Sequence, residues 1–355
     1  MAELQGFAAK GGYKSSGEAV GGGPWGTAVV IAGGDQFEYA SETVTPDVEL
    51  IESDQITGEA LPGASDTGSV TVEGDLAGMD LKYSGHGRFV RDVFGDVTTT
   101  NPGVTHFEHV FDFAQSNEGY YGTMAIEKVV TGPHEVDSFK PMGLEFSGAP
   151  GEFVKLTVTG IGRQLRTKDP GRTNDSSAGW TLPVYTRRVA RFGQVSFEVA
   201  EAGVAPVYVA LCVSGFTLSF QRNFDPAFTT CDGDYSSEPA TDTVEITGSL
   251  DFPIYDTEND PLVDWNLDKT VLTGRLTIDS GVAIPLSVPS ANYKWTIYLP
   301  AFQLTEGYPN VPGLGRVPLT ASYTLHNAEI PVDTDATLPR IYLDNEVADL
   351  DDYTT

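Results

Sequence analysis

The sequence predicts an all-β protein built of two tandem β-sandwich or barrel units, each with one short flanking α-helix. Apolar residues fall in short alternating runs bounded by Gly, Pro, Asn, Asp and Ser, and Gly (39) and Pro (22) are abundant. Similar segments recur about half a chain apart, and two short stretches have apolar residues at helical spacing. A length of 355 residues exceeds that of one ordinary domain.

The internal similarity involves three pairs of segments. The segment "TGSVTVEGDL" at 67–76 matches "TDTVEITGSL" at 241–250, an offset of 174 residues. At nearly the same offset "YYGTMAIE" at 120–127 matches "YKWTIYLP" at 293–300. A looser third pair is "FVKLTVTGIGR" from 153 and "RVPLTASYTLH" from 316. Because the order and spacing of these pairs agree, we predict a duplication.

A polar stretch between the similar halves, "KDPGRTNDSSAGW", has the Gly, Ser, Asp and Pro content of a linker. The sequence therefore predicts five parts. They are a flexible N-terminal arm (1–25), a first unit (26–168), a linker (169–179), a second unit (180–347) and an acidic C-terminal tail (348–355).

The segment "YSGHGRFVRDVFG" predicts the helix of the first unit. Ser84 is the expected N-cap, and Phe89, Val93 and Phe94 are the expected packing residues of its apolar face. Gly95 can adopt the left-handed conformation that ends a helix.

The segment "NDPLVDWNLDK" predicts the corresponding helix of the second unit. Asp260 is the expected N-cap, with Pro261 at the first helical position. Leu262 and Trp265, together with Val263, form the expected buried stripe. Each helix would cover an open edge or end of its unit.

Each half also carries a long polar segment at the same point, at 51–69 and at 223–243. Loops of such length are uncommon and are usually functional or disordered. We therefore expect both to make contacts with a partner. The candidate contact residues are Asp54, Thr57, Glu59, Asp66, Asp225, Thr229, Asp234 and Glu238.

The formal net charge of −29 excludes the nucleic-acid binding proteins, which need clustered Lys and Arg. The acidic residues are spread along the chain and Lys is scarce, as in proteins that stay hydrated in concentrated salt. At molar salt the Debye length is about 3 Å, which screens the self-repulsion. We predict a halophilic source. The alternative, an acidic surface needed for function, is compatible with it.

Export, membrane insertion and disulfide bonding are not indicated. No run approaches the roughly 20 apolar residues of a membrane span, and the N-terminus lacks the layout of a signal peptide. We expect folding in a cytoplasm. Cys212 and Cys231 fit no metal or redox spacing, and we interpret them as free thiols rather than a disulfide.

The sequence contains no catalytic motif, so we predict a protein that is not an enzyme and that uses no cofactor or metal. The G-x-S-x-G, G-x-x-x-x-G-K-[ST], H-E-x-x-H and paired C-x-x-C patterns are missing. His106 and His109 would point to opposite faces of a strand and are interpreted as surface residues; His86 is interpreted as a half-exposed structural residue. The Asp-rich loops lack the calcium-loop pattern. A carboxylate pair for glycoside hydrolysis stays open, because such a pair is adjacent only in space.

The layout from about 49 to 347 resembles that of a tail tube protein of long, non-contractile tailed viruses, the siphovirus-type major tail tube protein. The resemblance is carried by "VTVEGDL", "GRFVRDVFGDVTTT", "VTHFEHVFDF", "KPMGLEFSGAPGEFVKLTVTGIGRQ", "VSGFTLSFQRNF", "VEITGSLDF" and "IYLPAFQL". It implies sandwich or barrel units whose sheets join into a ring, with rings stacked into a hollow tube. With a duplicated unit it implies trimers with pseudo-sixfold symmetry, and a six-subunit ring is the alternative.

The resemblance also implies a location and partners. The protein would lie in the virion tail after assembly in the host cytoplasm, with viral DNA passing through an acidic lumen without specific binding and no membrane involved. Its partners would be its own copies, a tape measure protein, a tail terminator and a distal tail protein. The two long loops would make contacts between rings, ordering only against the next ring.

A second class of function stays open from the residues alone. A secreted or surface-displayed tandem β-sandwich that binds carbohydrate or protein would have the same strands and acidity. That class predicts an export signal and a monomer. Among viral proteins, a tail terminator or head–tail joining protein would form one ring without stacking.

Overall fold

A computed structural model describes residues 9–51, 66–128, 132–167, 171–183, 189–203, 206–231, 233–287, 290–311, 316–327 and 337–350. Strands dominate these residues, with two α-helices, which confirms the all-β prediction. The elements are β1 (Gly11–Ser15), β2 (Gln36–Phe37), β3 (Ser41–Glu42), β4 (Thr45–Ile51), β5 (Asp66–Asp80), α1 (Gly87–Phe94), β6 (Val97–Thr100), β7 (Phe107–Asp112), β8 (Gly122–Glu127), β9 (Pro133–Gly148), β10 (Lys155–Gly162), β11 (Leu165–Arg166), β12 (Val195–Glu201), β13 (Val209–Leu211), β14 (Gly215–Asp225), β15 (Ala240–Phe252), α2 (Pro261–Asp268), β16 (Leu272–Ala283), β17 (Asn292–Leu304), β18 (Leu319–Leu325) and β19 (Arg340–Asn345).

The strands form two antiparallel ladders. Ladder one has the order β2-β1-β8-β9-β10-β5-β4. Ladder two has the order β13-β12-β16-β17-β18-β15-β14. When the seven strands of each ladder are ranked by their order along the chain, both ladders have the same order of neighbouring strands.

One further pairing, that of β14 with β9, joins the two ladders into one sheet. Strand β19 extends this sheet, because it pairs with β17 of ladder two and with β7, which lies outside both ladders and pairs with β6. Among the described residues this sheet does not close into a barrel. The pairings of β14 with β9 and of β19 with β7 connect residues on both sides of the predicted linker at 169–179. The division of the chain into two units therefore stays a prediction.

The core lies on one face of the sheet. Across four neighbouring strands Leu76, Val158, Leu144 and Phe220 pair in a row and all are at most 1% exposed. Successive residues of a strand alternate between faces, so one face is apolar and the other polar. The apolar residues of both ladders form one continuous cluster.

Residues 11–15, which the sequence places in a flexible arm, instead form β1 and pair with β8. The reason is Tyr13, which is fully buried and stacks on Phe89 with ring centroids 4.6 Å apart. The hydroxyl groups of Tyr13 and Ser15 donate to the buried carboxylate of Asp92, at 2.5 and 2.8 Å. These contacts anchor β1 on α1.

Helix α1 forms where the sequence predicts a helix, but its N-cap is His86 rather than Ser84. The prediction failed because Gly85 adopts a φ of +89°, a turn after which the helix begins. Phe89, Val93 and Phe94 are fully buried.

Gly95 ends α1 in the left-handed conformation, with a φ of +80°, and its N–H donates to the carbonyl of Arg91 at 2.7 Å. A Cβ here would lie 2.8 Å from the carbonyl oxygen of Ser116. We expect Gly95→Ala to lower the free energy of unfolding by about 1–2 kcal/mol. Gly151→Ala is the matched control, since Gly151 has a φ of +84° and no heavy atom near its Cβ position. Urea unfolding measures both, and equal losses would show that the clash with Ser116 relaxes away.

Helix α2 begins at Pro261 with Asp260 as N-cap, as predicted. Leu262 is buried, and Trp265 is half-buried and donates its indole N–H to Glu201 at 3.1 Å. Unlike α1, which is buried on all sides, α2 exposes an outer face on which Leu267 is 65% exposed.

The histidines predicted to lie at the surface are buried, which corrects the sequence interpretation. His106 Nε2 lies 2.8 Å from a carboxylate oxygen of Asp344, and His109 Nε2 lies 2.9 Å from the carbonyl oxygen of Val347. The sequence could not show that the C-terminal strand β19 covers β7. His86, expected to be half-exposed, is 4% exposed inside the first ladder.

Three features of the described part bear on function classes. Cys212 and Cys231 are free and exposed thiols. No group of three or more His, Cys, Asp or Glu side chains among the described residues could hold a metal ion. Neither described helix, at eight residues each, is long and apolar enough to cross a membrane.

Candidate functional site

The junction between the two ladders is the most extensive functional candidate, and its centre is the pairing of β14 with β9. Residues 216–221 pair antiparallel with 143–148, so that Gln221 lies opposite Gly143. Phe220 projects into ladder one, where its ring centroid lies 5.2 Å from that of Phe94 and 6.3 Å from that of Phe146. One ladder thus completes the core of the other.

Arg222 lies beside this pairing and reaches the end of α1. Its guanidinium donates to the carbonyl oxygens of Val93 at 2.6 Å, Phe94 at 3.1 Å and Ala114 at 2.6 Å. The same group lies 4.0 Å from the centroid of the Phe113 ring. Burial lowers the pKa of Arg222 to about 10, which leaves it charged at neutral pH. A cation at a helix C-terminus is electrostatically favourable, so Arg222 joins the two ladders.

The segment that follows β14 also packs on ladder one. The N–H of Val70 donates to the carbonyl of Asp234 at 2.8 Å, and the indole N–H of Trp25 donates to the carbonyl of Ser236 at 2.9 Å. The side chain of Gln164 donates to the hydroxyl of Tyr235 at 2.7 Å. This segment is therefore bound within its own chain.

Glu238, one of the predicted contact residues, is bound within its own chain. Its carboxylate accepts the N–H of Gly119 at 2.7 Å and forms an ion pair with Lys140, whose side chain is 1% exposed. Burial lowers the pKa of Lys140, while Glu238 opposes that shift.

The other predicted contact residues fall into two groups. Asp66, Asp225, Thr229 and Asp234 are exposed. Asp54, Thr57 and Glu59 lie outside the described residues. Contact with a partner stays a prediction for all eight.

A second candidate surface is the polar side of the sheet, which runs without interruption across both ladders in the order β5-β10-β9-β14-β15-β18. Side chains that pair directly across strands share a face, which identifies its members. We define the polar face as Asp75, Asp80, Glu145, Ser147, Lys155, Thr157, Thr159, Thr217, Ser219, Gln221, Glu245, Thr247, Ser249, Asp251, Thr320, Ser322 and Thr324.

The polar face is acidic. Glu145, Glu245 and Asp251 are exposed, and Thr320 donates its hydroxyl to Asp251 at 2.8 Å. Among the members just named, Lys155 is the one basic residue, and it forms an ion pair with Asp80. The remaining side chains are hydroxyl groups and one amide, which suits a hydrated surface that repels anions.

The third candidate surface is the outer edge of β4. All seven residues of this strand are exposed, and its pairing is with β5 on one side. None of the described residues pairs with the other side. Val48, Leu50 and Ile51 are 49%, 59% and 56% exposed, which is unusual for three apolar residues of one edge strand.

Sequence reasoning missed all three surfaces. The alternation in "GFTLSFQRNF" correctly indicates a strand. From the sequence alone, however, Arg222 in this segment would be interpreted as a solvent-exposed cation. The polar face depends on pairings between residues about 75 positions apart, such as Glu145 with Ser219. Exposed apolar residues in "TPDVELI" were the one available signal for the open edge.

Comparison with known proteins gives one family. A family model described as phage tail tube protein matches residues 14–324. No curated protein matches the chain.

Proposed function

The chain belongs to the phage tail tube protein family, and we propose that three copies close into a pseudo-sixfold ring and that the rings stack into the tube that conducts viral DNA. The family makes the protein a structural component of the phage tail. The observation that carries the finer proposal is the recurrence of one strand order in ladders one and two. This recurrence supports a duplication, in which each chain supplies two of six ring positions.

The number of strands in such a ring supports three copies. Each chain contributes eight neighbouring strands, β4-β5-β10-β9-β14-β15-β18-β17. Three chains give a closed barrel of about 24 strands, which at a spacing of about 4.8 Å and a tilt of about 40° is roughly 45–50 Å wide. Side chains of about 5 Å on each side leave an opening of roughly 35–40 Å. By the same estimate two copies would leave an opening of roughly 20–25 Å, which is too narrow for a hydrated DNA duplex.

The polar face supports the assignment of the lumen. If the barrel closes around the polar face, Glu145, Glu245 and Asp251 face passing DNA, and the helices face outward. Acidic and hydroxyl side chains do not bind phosphate groups, so they let DNA slide. Basic side chains there would hold it.

Electron microscopy of the purified protein tests the proposal, with native mass measurement in molar and in dilute salt. We expect rings of three chains, or tubes, in molar salt. A monomer in every condition, even with the tail initiator proteins added, would contradict the tube.

A charge reversal tests the lumen separately. We expect tubes of Glu145→Lys/Glu245→Lys to retain duplex DNA at low salt, because the new lysines of all three chains would line the lumen in every ring. The matched control is Glu258→Lys/Asp264→Lys, two exposed acids on the side of α2. Cosedimentation of DNA with tubes measures both. Equal DNA retention by the two variants would place the polar face outside.

The remaining partners belong to the same proposal. The tape measure protein, tail terminator and distal tail protein would contact the tube at its lumen and its two ends, and assembly would occur in the host cytoplasm. The acidity then serves the lumen and, in a halophilic source, hydration in salt. A structural role of this kind needs no catalysis.

A further inference from the structure

We propose that the ring closes by adding the open edge of β4 to residues 306–309 of the next copy, in the register in which β14 adds to β9 within one chain. This inference rests on the proposed ring. It names the two surfaces that meet and the residues that lie opposite each other.

In the part of the chain that the structure describes, nothing covers the apolar side of the edge strand β4. Its sequence alternates, so that Pro46, Val48 and Leu50 share the side on which Val44 enters the core. Val44 is 6% exposed, but Val48 and Leu50 are 49% and 59% exposed. An open edge strand with an exposed apolar side is a surface for pairing with another chain, and in β4 one position of that pairing, Pro46, has no N–H to donate.

The strand of ladder two that corresponds to β4 is β14, and it pairs with a neighbouring ladder. Each is the last strand of its ladder, β4 beside β5 and β14 beside β15. The apolar side of β14 is covered, because its Phe220 packs on Phe94 and Phe146 in ladder one. A third ladder would cover β4 in the same way, and a second copy of the chain supplies one.

The surface that would receive β4 follows from the pairing of ladder two. In ladder one, Leu76 pairs with Val158, and Val158 pairs with Leu144, which is part of the surface that receives β14. The repeated segments place Leu250 in the position of Leu76, and Leu250 pairs with Ala321. The residue opposite Ala321 is therefore the counterpart of Leu144.

That residue is Gly307. The N–H of Ser322 donates to the carbonyl of Glu306 at 3.2 Å, and a Cβ on Gly307 would lie 3.8 Å from the Cβ of Ala321. Its flank is open, since Tyr308 is 64% and Val311 is 74% exposed. Residues 266, 305–308, 310, 318 and 320 line a groove at this place.

The register follows from the same correspondence. Phe220 lies opposite Leu144 and pairs on its other side with Ile246. Pro46 pairs with Val72, which stands four residues before Leu76 as Ile246 stands four before Leu250. Pro46 therefore lies opposite the next copy's Gly307, Thr45 opposite its Tyr308 and Asp47 opposite its Glu306.

The helices agree with this register. Val48 takes the place of Arg222, the side chain that lies over the C-terminal end of α1. At the corresponding end of α2, Leu267 is 65% exposed. The seam would therefore bring two exposed apolar side chains, Val48 and Leu267, into contact, where the junction within the chain has a cation over carbonyl groups.

The register also makes a charge prediction, because Asp47 and Glu306 would be like charges directly across the seam. Like charges directly opposite each other destabilise the pairing of two strands, and salt screens this repulsion. We expect Glu306→Lys to lower the protein concentration at which rings form by about twofold to fivefold in dilute salt. Asp47→Lys/Glu306→Lys should restore the repulsion and the original concentration.

Disulfide trapping tests the register itself. In a Cys212→Ser/Cys231→Ser background we expect Thr45→Cys/Tyr308→Cys to give dimers and closed trimers on non-reducing gels after mild oxidation. The matched control is Glu49→Cys/Tyr308→Cys, which is displaced by four residues and should give little cross-linking. Thermal unfolding of each variant under reducing conditions checks that it folds.

The outcomes separate the two proposals. Rings or tubes without the Thr45–Tyr308 cross-link, or with the displaced one, would overturn the seam and leave the tube intact. A protein that forms neither rings nor tubes would overturn the proposed function instead. Cross-linked closed trimers would support both.

Discussion

Arg222→Met is expected to lower the free energy of unfolding by about 3–5 kcal/mol. The substitution removes the donors of three buried carbonyl groups, those of Val93, Phe94 and Ala114. It also removes the cation from the C-terminal end of α1 and from the ring of Phe113. A methionine fills much of the volume but leaves the carbonyl groups of Val93 and Ala114 without this donor, whereas the carbonyl of Phe94 still accepts the N–H of Ala114 at 2.8 Å.

Two further variants separate the contributions to that loss. Arg222→Lys keeps the charge but cannot bond to carbonyl groups in three directions, so we expect an intermediate loss. Arg275→Met is the matched control, because the side chain of Arg275 is 36% exposed and pairs with Glu198 at 2.9 Å. We expect it to cost less than about 1 kcal/mol. Urea unfolding in molar salt measures all three, and a loss at Arg222 no greater than that at Arg275 would contradict the role of Arg222.

The elements that the sequence predicted well are those that local chemistry determines. Pro261 and the acid before it specify the start of α2, and Gly95 specifies the end of α1, because each works through its own backbone geometry. The alternating runs predicted strands for the same reason. Ser84 was the wrong N-cap because a second local signal, the turn at Gly85, overrode the preference of serine.

What the sequence could not predict depends on contacts between distant residues. The junction between β9 and β14 places Glu145 opposite Ser219, and that between β7 and β19 places His109 opposite Leu343. Neither pairing has a sequence signature, because any two alternating strands can pair. The buried histidines, the role of Arg222 and the polar face all follow from these pairings.

The proposed duplication nevertheless connects the sequence with the strand order. Leu76 and Leu250, which match at an offset of 174, occupy matching places in the two ladders. The predicted match of 120–127 with 293–300 was wrong, because β8 is the third strand of ladder one and β17 is the fourth strand of ladder two. Among the described residues the internal junction then has two counterparts at opposite edges of the sheet, the outer edge of β4 and the flank of Gly307. A chain whose sheet has complementary edges of this kind closes into a ring if the rotation per copy allows it.

Acidification is expected to destabilise the protein through His86, and His86→Asn should remove most of that part of the loss. Burial, with smaller effects of Lys82 and Arg88, lowers the pKa of His86 to about 3. The unfolded chain, with a usual pKa of about 6.5, binds the proton first. The stabilisation is therefore complete above pH 6.5 and is lost as the pH falls from 6.5 towards 3, by about 2–3 kcal/mol at pH 4.5.

The comparison of the two proteins isolates this histidine from the other groups that titrate. Burial lowers the pKa of His109, which acts in the same direction, whereas burial raises the pKa of Asp35 and Asp137, which acts in the opposite one. Those three groups are common to wild type and variant and cancel in the difference. An asparagine oxygen can still accept the N–H of Lys82, which donates to His86 Nδ1 at 3.2 Å.

Urea unfolding between pH 8 and pH 4.5 in molar salt measures the effect. The unfolding free energy of wild type should fall by about 2–3 kcal/mol more than that of His86→Asn over this range. His326→Asn is the matched control, because His326 is exposed, and its pH dependence should follow that of wild type. Parallel curves for His86→Asn and wild type would mean that His86 takes up its proton in the folded protein, through an opening of the segment before α1.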